Sequence, residues 1–165
     1  CGAQAMREGR RRPGRVVEGC ALCGVSGFVD DGVEQRLRLR YVFDSSVPGL
    51  LNVGWLDPRK NQRLLIDALA ELRRRGIRAT LLLVGKRGLG ADAVFDDIRA
   101  HPQVRGDIHV FHGLCDAEVR FAFLYARALV YPSYAEVSGL PLVEALMHLL
   151  PVFPSDICVV WVIAG

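Results

Sequence analysis

From about residue 50 the apolar and polar positions of the chain fall into a regular alternation. Residues 50–53 form a short apolar run closed by Gly54, which predicts a strand. Over residues 61–75, Leu64, Leu65, Ala68, Leu69 and Leu72 recur at helical spacing, with Gly76 just beyond as a C-cap. Residues 79–84 are β-rich without polar alternation, as a strand covered on both faces requires. A weaker helix over 91–100 stops before Pro102, and 108–111 make a third strand. Asp116 is placed to N-cap a helix running to about Arg127, and the strand over 128–131 is stopped by Pro132. Pro141 suits the first turn of a helix carrying Leu142, Val143, Leu146 and Met147, and 151–153 form a short fifth strand.

Strand and helix thus alternate, five to four, through mostly short connections. The pattern predicts an α/β fold: a Rossmann-like, doubly wound parallel sheet of about five strands with helices on both faces. Such sheets bind ligands outside the carboxyl ends of their strands, so the loops to search are 54–60, 85–90, 112–116 and 132–140. Ahead of this domain (50–157), residues 1–26 read as a basic, solvated leader. Residues 27–49 read as a lead-in segment with a short charged helix over 34–40, and 158–165 as an apolar tail. The chain starts at Cys1 and stops in mid-pattern at Gly165, so it is read as a fragment.

Composition narrows the function classes. The 165 residues are 51% hydrophobic and 24% charged, an ordinary globular mix. Five of the 21 basic residues and two of the 18 acidic ones lie in the first twenty positions, so the leader carries the whole net charge of +3. A neutral body gives no electrostatic footprint for nucleic acid, and no nucleic-acid partner is expected. No apolar run approaches the roughly 20 residues of a membrane span, and Glu18 interrupts any signal-peptide core after the arginines. Cys20 and Cys23 form a lone C-x-x-C without a second pair, which argues against zinc and leaves reduced thiols of a cytoplasmic protein as the default. His109 and His112 lack a third ligand, so no metal site is assigned. The 85–90 loop matches neither phosphate-loop nor dinucleotide fingerprints, and a dinucleotide-dependent oxidoreductase has no glycine signature to rest on.

The 132–140 loop carries the richest chemistry. It runs directly into a helix, so backbone N–H groups from Gly139 to Leu142 would be free at a helix start facing the ligand side, where an anion binds. Glu136 precedes that start and Glu144 lies one turn beyond it. Carboxylates on either side of an anion site suit a ligand with a central diphosphate and hydroxyls at both ends. The alternatives are a solvated loop acid at 136 and a helix-dipole partner at 144. Lys60, projecting from the start of the first helix, could neutralise a phosphate or serve only as a solvated basic turn.

Several segments together resemble a known family: Gly54-Trp55-Leu56-Asp57-Pro58-Arg59-Lys60-Asn61, Leu83-Val84-Gly85-Lys86, Val110-Phe111-His112-Gly113 with Asp116-Ala117-Glu118, Tyr131-Pro132-Ser133-Tyr134-Ala135-Glu136 with Gly139 to Ala145, and Pro151-Val152 with Ser155-Asp156. They look like the carboxyl-terminal, donor-binding domain of family 4 retaining glycosyltransferases, one half of a GT-B architecture. The resemblance implies transfer of a glycosyl group from a UDP- or GDP-linked sugar to a glycan or lipid-linked acceptor. A separate amino-terminal acceptor domain would complete the enzyme, peripheral to the membrane. It further implies that Glu136 holds the donor sugar, Glu144 the ribose and Lys60 the diphosphate. Backbone at Ser138, Gly139 and Leu140 would hold phosphate and sugar, Leu114 and Cys115 would flank the base, and no metal or other cofactor is needed. The sequence departs from the family pattern at Trp55, Val137, Ser138 and Leu149. Where glycine is usual, at 137 and 149, side chains are expected to strain a left-handed backbone. The fragment alone is expected to be inactive, and the alternative reading is a non-catalytic remnant that keeps the fold.

Overall fold

A computed structural model describes residues 46–157 together with Leu39, Arg40, Val42 and Phe43. The expected leader, all but two residues of the charged helix over 34–40, the Cys20–Cys23 pair and the apolar tail lie outside them. The elements follow as β1 (Gly49–Val53), α1 (Gln62–Arg74), β2 (Thr80–Val84), α2 (Ala91–Ala100), β3 (Ile108–Phe111), α3 (Asp116–Tyr125), β4 (Ala128–Tyr131), α4 (Leu140–Met147) and β5 (Val152–Pro154). The strands form one parallel sheet in the order β3-β2-β1-β4-β5, with Leu51 of β1 beside Leu82 on one side and Leu129 on the other.

Alternation along the central strands builds two cores. Leu82, Val84, Phe111, Leu129 and Tyr131 point to one face, where Ala122 and Phe123 of α3, Leu142 and Ala145 of α4, and Leu39 and Val42 cover them. Leu81, Leu83, Ile108 and Val130 point to the other, under Ile66 and Leu69 of α1 and Val94 and Ile98 of α2. β2 is buried at every position, which accounts for its unbroken apolar run. Asn52, a buried polar residue in β1, is satisfied by donating from Nδ2 to the Val130 carbonyl at 2.9 Å.

The elements match the periodicity closely, with local corrections. α1 is rotated relative to its expected apolar face: Gln62, Ile66 and Leu69 are buried, whereas Leu64 and Ala68 face solvent. Apolar residues occur on more than one side of this helix, so spacing alone could not select the inner stripe. Gly76 takes the expected left-handed cap, its N–H donating to Arg73 O at 3.0 Å. α3 is capped by Cys115 rather than Asp116, because Cys115 is extended and the Glu118 carboxylate folds back onto its N–H at 2.8 Å. α3 also ends at Tyr125, before Arg127, where Ala126 turns extended. Leu149 has φ 53° and carries the expected left-handed strain, but Val137 does not: only Asn61 and Leu149 among described non-glycine residues have positive φ. The loop accommodates Val137 by leaving it almost wholly in solvent, 98% exposed, in a conformation open to any residue.

Candidate functional site

Chain order sets where a crevice must open. From β1 the chain winds through α1 to β2 on one side, and from β4 it winds through α4 to β5 on the other. The loops leaving the adjacent strands β1 and β4 therefore diverge, and the space between their carboxyl ends is the ligand site of doubly wound sheets. Those loops are 54–61 and 132–139.

The first loop is fixed to its neighbour by backbone. Gly54 N–H donates to Val84 O at 2.9 Å, Leu56 N–H to Lys86 O at 2.8 Å and Gly88 N–H to Leu56 O at 2.9 Å. At Gly85 an added Cβ would lie 1.9 Å from the Gly54 carbonyl oxygen, so no other residue fits there without moving the loop. Asp57, buried, caps the 3₁₀ turn Pro58–Lys60 by accepting from Arg59 N at 2.9 Å, and the Arg59 guanidinium pairs with it at 2.8 Å. Hydrogen bonds from the Arg59 side chain and backbone hold the Asp57 carboxyl below its ordinary range. This turn presents Lys60, whose aliphatic stem passes Gly54.

Lys60 Nζ meets Glu136 Oε1 at 2.5 Å across the crevice, with side chains 19% and 8% exposed. The ammonium lies 5.8 Å from the centre of the Tyr131 ring. Burial pushes the Glu136 carboxyl up, but Lys60, Ser133 and Tyr131 more than offset this and hold it below its ordinary value. Burial and the neighbouring Glu136 carboxylate raise the Tyr131 phenol well above its usual value. Ser133 Oγ is buried and among the described residues has no well-aligned hydrogen bond, although it stands close enough to favour the charged form of Glu136. The Ser133 carbonyl accepts from Ser155 Oγ at 2.5 Å, tying the end of β5 to the same loop.

Beyond Glu136, Ser138 is exposed and Gly139 is left-handed (φ 59°) at the N-cap of α4. Among the described residues the N–H groups of Gly139 and Leu140 find no acceptor, whereas Leu142 N–H turns back to Gly139 O at 2.9 Å. Glu144 is exposed on α4, and its carboxylate makes no ion pair among the described residues. Leu114 and Cys115 share this end of the sheet but follow β3, two strands from β1, roughly 10 Å from the crevice by strand spacing. Cys115 N–H is already committed to Glu118. His112 binds the Gly85 carbonyl through Nδ1 at 2.7 Å, and among the described residues no three potential metal ligands converge.

The structure therefore brings Lys60 and Glu136 together between the β1 and β4 loops and places Gly139 and Leu140 a few residues further on at the start of α4. It leaves Glu144 exposed on that helix without an ion pair among the described residues, and sets Leu114 and Cys115 at the sheet's edge. Sequence reasoning assigned no role to Tyr131 and Ser133, which flank Glu136, or to Asn61, which bridges the two loops. A tyrosine ending a buried strand, followed by Pro-Ser, is the signal that was present. A hollow of about 470 Å³ lined by Asp67, Glu71, Arg74 and His101 lies elsewhere, at the amino end of the strands, among solvated charges.

Comparison with known proteins bears on the family and the fold. The sequence profile described as "Glycosyl transferases group 1" matches residues 34–164. The serotype-specific mannosyltransferase WbdA of Escherichia coli is 34% identical over 113 residues, 68% of this chain and 14% of that protein. The lipopolysaccharide glucosyltransferase WaaG of Escherichia coli strain K12 is 34% identical over 109 residues, 66% of this chain and 28% of that protein. The chain thus spans only 14% to 28% of these relatives. The crystal structure of WaaG superposes with TM-score 0.62 at 28% identity, covering 80% of this chain and 35% of WaaG. Anabaena Alr3699/HepE, solved with UDP-glucose, superposes with TM-score 0.66 at 20% identity, covering 81% and 36%, and shows the shared Rossmann-like GT-B fold. With the profile covering most of its length and the fold agreeing, the chain belongs to the group 1 glycosyltransferases.

Proposed function

We propose that this chain is the carboxyl-terminal, nucleotide-sugar-binding half of a family 4 retaining glycosyltransferase. The observation that carries the reading is the Lys60–Glu136 pair, partly buried between the loops that leave β1 and β4 at the switch point of the sheet. The donor's diphosphate would take the Lys60 ammonium and the Gly139 and Leu140 N–H groups, and Glu136, released from Lys60, would accept hydrogen bonds from the sugar hydroxyls. Glu144 would accept from the ribose hydroxyls, and the loop at Leu114 and Cys115 would flank the base.

The chemistry follows from where charge develops. As the anomeric carbon–oxygen bond breaks toward an oxocarbenium-like state, the electron pair leaves with the diphosphate, and preorganised donors stabilise it. Lys60 and the two amides would supply those donors, and the reading calls for no divalent metal. The acceptor, a glycan or lipid-linked sugar, loses its hydroxyl proton to the departing phosphate oxygen. It would be held by a second domain outside this chain. Relatives named for mannosyl and glucosyl transfer make GDP-mannose and UDP-glucose the first donors to test.

Thermal and urea unfolding of the 165-residue chain should be followed with each donor, with and without EDTA. A donor at a hundred times its Kd stabilises by about 2.7 kcal/mol. Glu144→Ala should weaken free UDP or GDP, whereas Glu136→Ala should spare the free nucleotide and weaken the sugar-linked one. Absence of any shift with every nucleotide sugar would replace this reading by that of a remnant without donor affinity.

A further inference from the structure

Lys60 and Glu136 belong to loops about 75 residues apart in sequence, so something must set their separation before any ligand arrives. Asn61, next to Lys60, has φ 54° and ψ 38°, one of two left-handed non-glycine residues described. Both of its backbone groups are committed: its N–H donates to Pro58 O at 3.0 Å, closing the 3₁₀ turn, and its carbonyl accepts from Leu64 N at 3.1 Å, opening α1. The left-handed residue is what separates turn from helix. With right-handed backbone at 61 the two would fuse, and Lys60 would rotate around the helix axis. Its side chain then reaches the second loop, Nδ2 donating to the Pro132 carbonyl at 3.2 Å. On the other side of Lys60, Tyr134 N–H donates to Arg59 O at 2.9 Å. Lys60 is therefore bracketed along the chain by two cross-links between the loops, one made of backbone at Arg59 and one made by the Asn61 side chain.

We infer that Asn61 is a positioning residue that fixes the Lys60–Glu136 separation, through its left-handed backbone and its amide bond to Pro132. Its consequence for donor affinity rests on the function proposed above. Few residues satisfy both demands. Asparagine tolerates the left-handed region and carries an amide donor, glycine has the first property without the second, and alanine has neither.

The test uses the full chain and reads the Glu136 carboxyl midpoint by carbon NMR titration, with Lys60→Met as the reference for a lost pair. Asn61→Gly should raise the midpoint part of the way toward that reference, and Asn61→Ala should raise it further. UDP-glucose affinity should fall roughly three- to tenfold in Asn61→Gly, the loss expected for one net hydrogen bond. An unchanged Glu136 midpoint in folded Asn61→Gly would overturn the inference, whatever happens to its melting temperature. Should Asn61→Ala not fold, Asn61→Gly decides alone, since glycine accepts the native backbone. If the midpoint moves but the wild type binds no nucleotide sugar, the positioning role stands and the functional reading falls.

Discussion

Lys60 meets Glu136 at 2.5 Å at the carboxyl end of the sheet, and Arg74 and Arg75 meet Glu71 at 2.7 Å toward the amino end. Both carboxylates titrate low, Glu71 at about 2 under hydrogen bonds from Arg74 and Arg75. The amino end even has a hollow of about 470 Å³. What separates the two is solvent and backbone. Glu71 sits on one helix with its partners, and Arg74 and Arg75 are largely exposed, so water and salt screen the triad and the helix would persist without it. Glu136 is shielded, its partner comes from a different strand's loop, and Tyr131 and Ser133 stand beside it. A short ion pair and a concave surface mark no site by themselves; convergence of loops at a switch point does.

The largest test of that contrast is Lys60→Met. It leaves a shielded carboxylate without its cation and should cost about 3 kcal/mol in urea unfolding at neutral pH. A loss no greater than that of a surface pair would erase the distinction. Acid should produce the next effect. Because the Glu136 carboxyl titrates below its ordinary 4.5, the pair's contribution is complete above about pH 4.5. It disappears as pH falls through the folded value, and the acid limb of the stability curve should be shallower in Lys60→Met than in the wild type. Leu149→Gly should stabilise by about 0.5–1 kcal/mol, since Leu149 is exposed and left-handed and glycine gives back only part of the gain as unfolded-chain freedom. Val137→Gly, at a residue of ordinary φ, should give no such gain, which separates the two departures. Glu71→Ala should leave the melting temperature within error of wild type.

These contrasts also mark what could be read from residues alone. β2 and β4 were legible because apolar runs stopped at Gly85 and Pro132 admit few alternatives, and the alternation of elements gave the winding and hence the crevice. Lys60 and Glu136 were candidates because their loops leave the carboxyl ends of predicted strands. Loop position alone left each open to a merely solvated role, and only the fold shows that they meet. The inner stripe of α1 was not, because leucines on its outer side match those on its inner side. The Cys115 cap was not legible either, since it rests on the Glu118 carboxylate closing back onto the Cys115 N–H, which leaves Asp116 as the first residue inside the helix. Asn61 was invisible because its role depends on Pro132, 71 positions away, and only the folded sheet brings that carbonyl within reach.

The contact between Gly85 and Gly54 has a last consequence, for how sites of this kind diversify. Past the strand ends, the ladder of Gly54, Leu56 and Gly88 hydrogen bonds continues between two loops that touch through atoms no side chain could separate. Neither loop can drift alone, because any substituent at 85 displaces its neighbour. Variation in ligand preference is thereby channelled to the rim, where Trp55, Tyr134 and Val137 stand in solvent with room to change, while the floor beneath them stays invariant in shape.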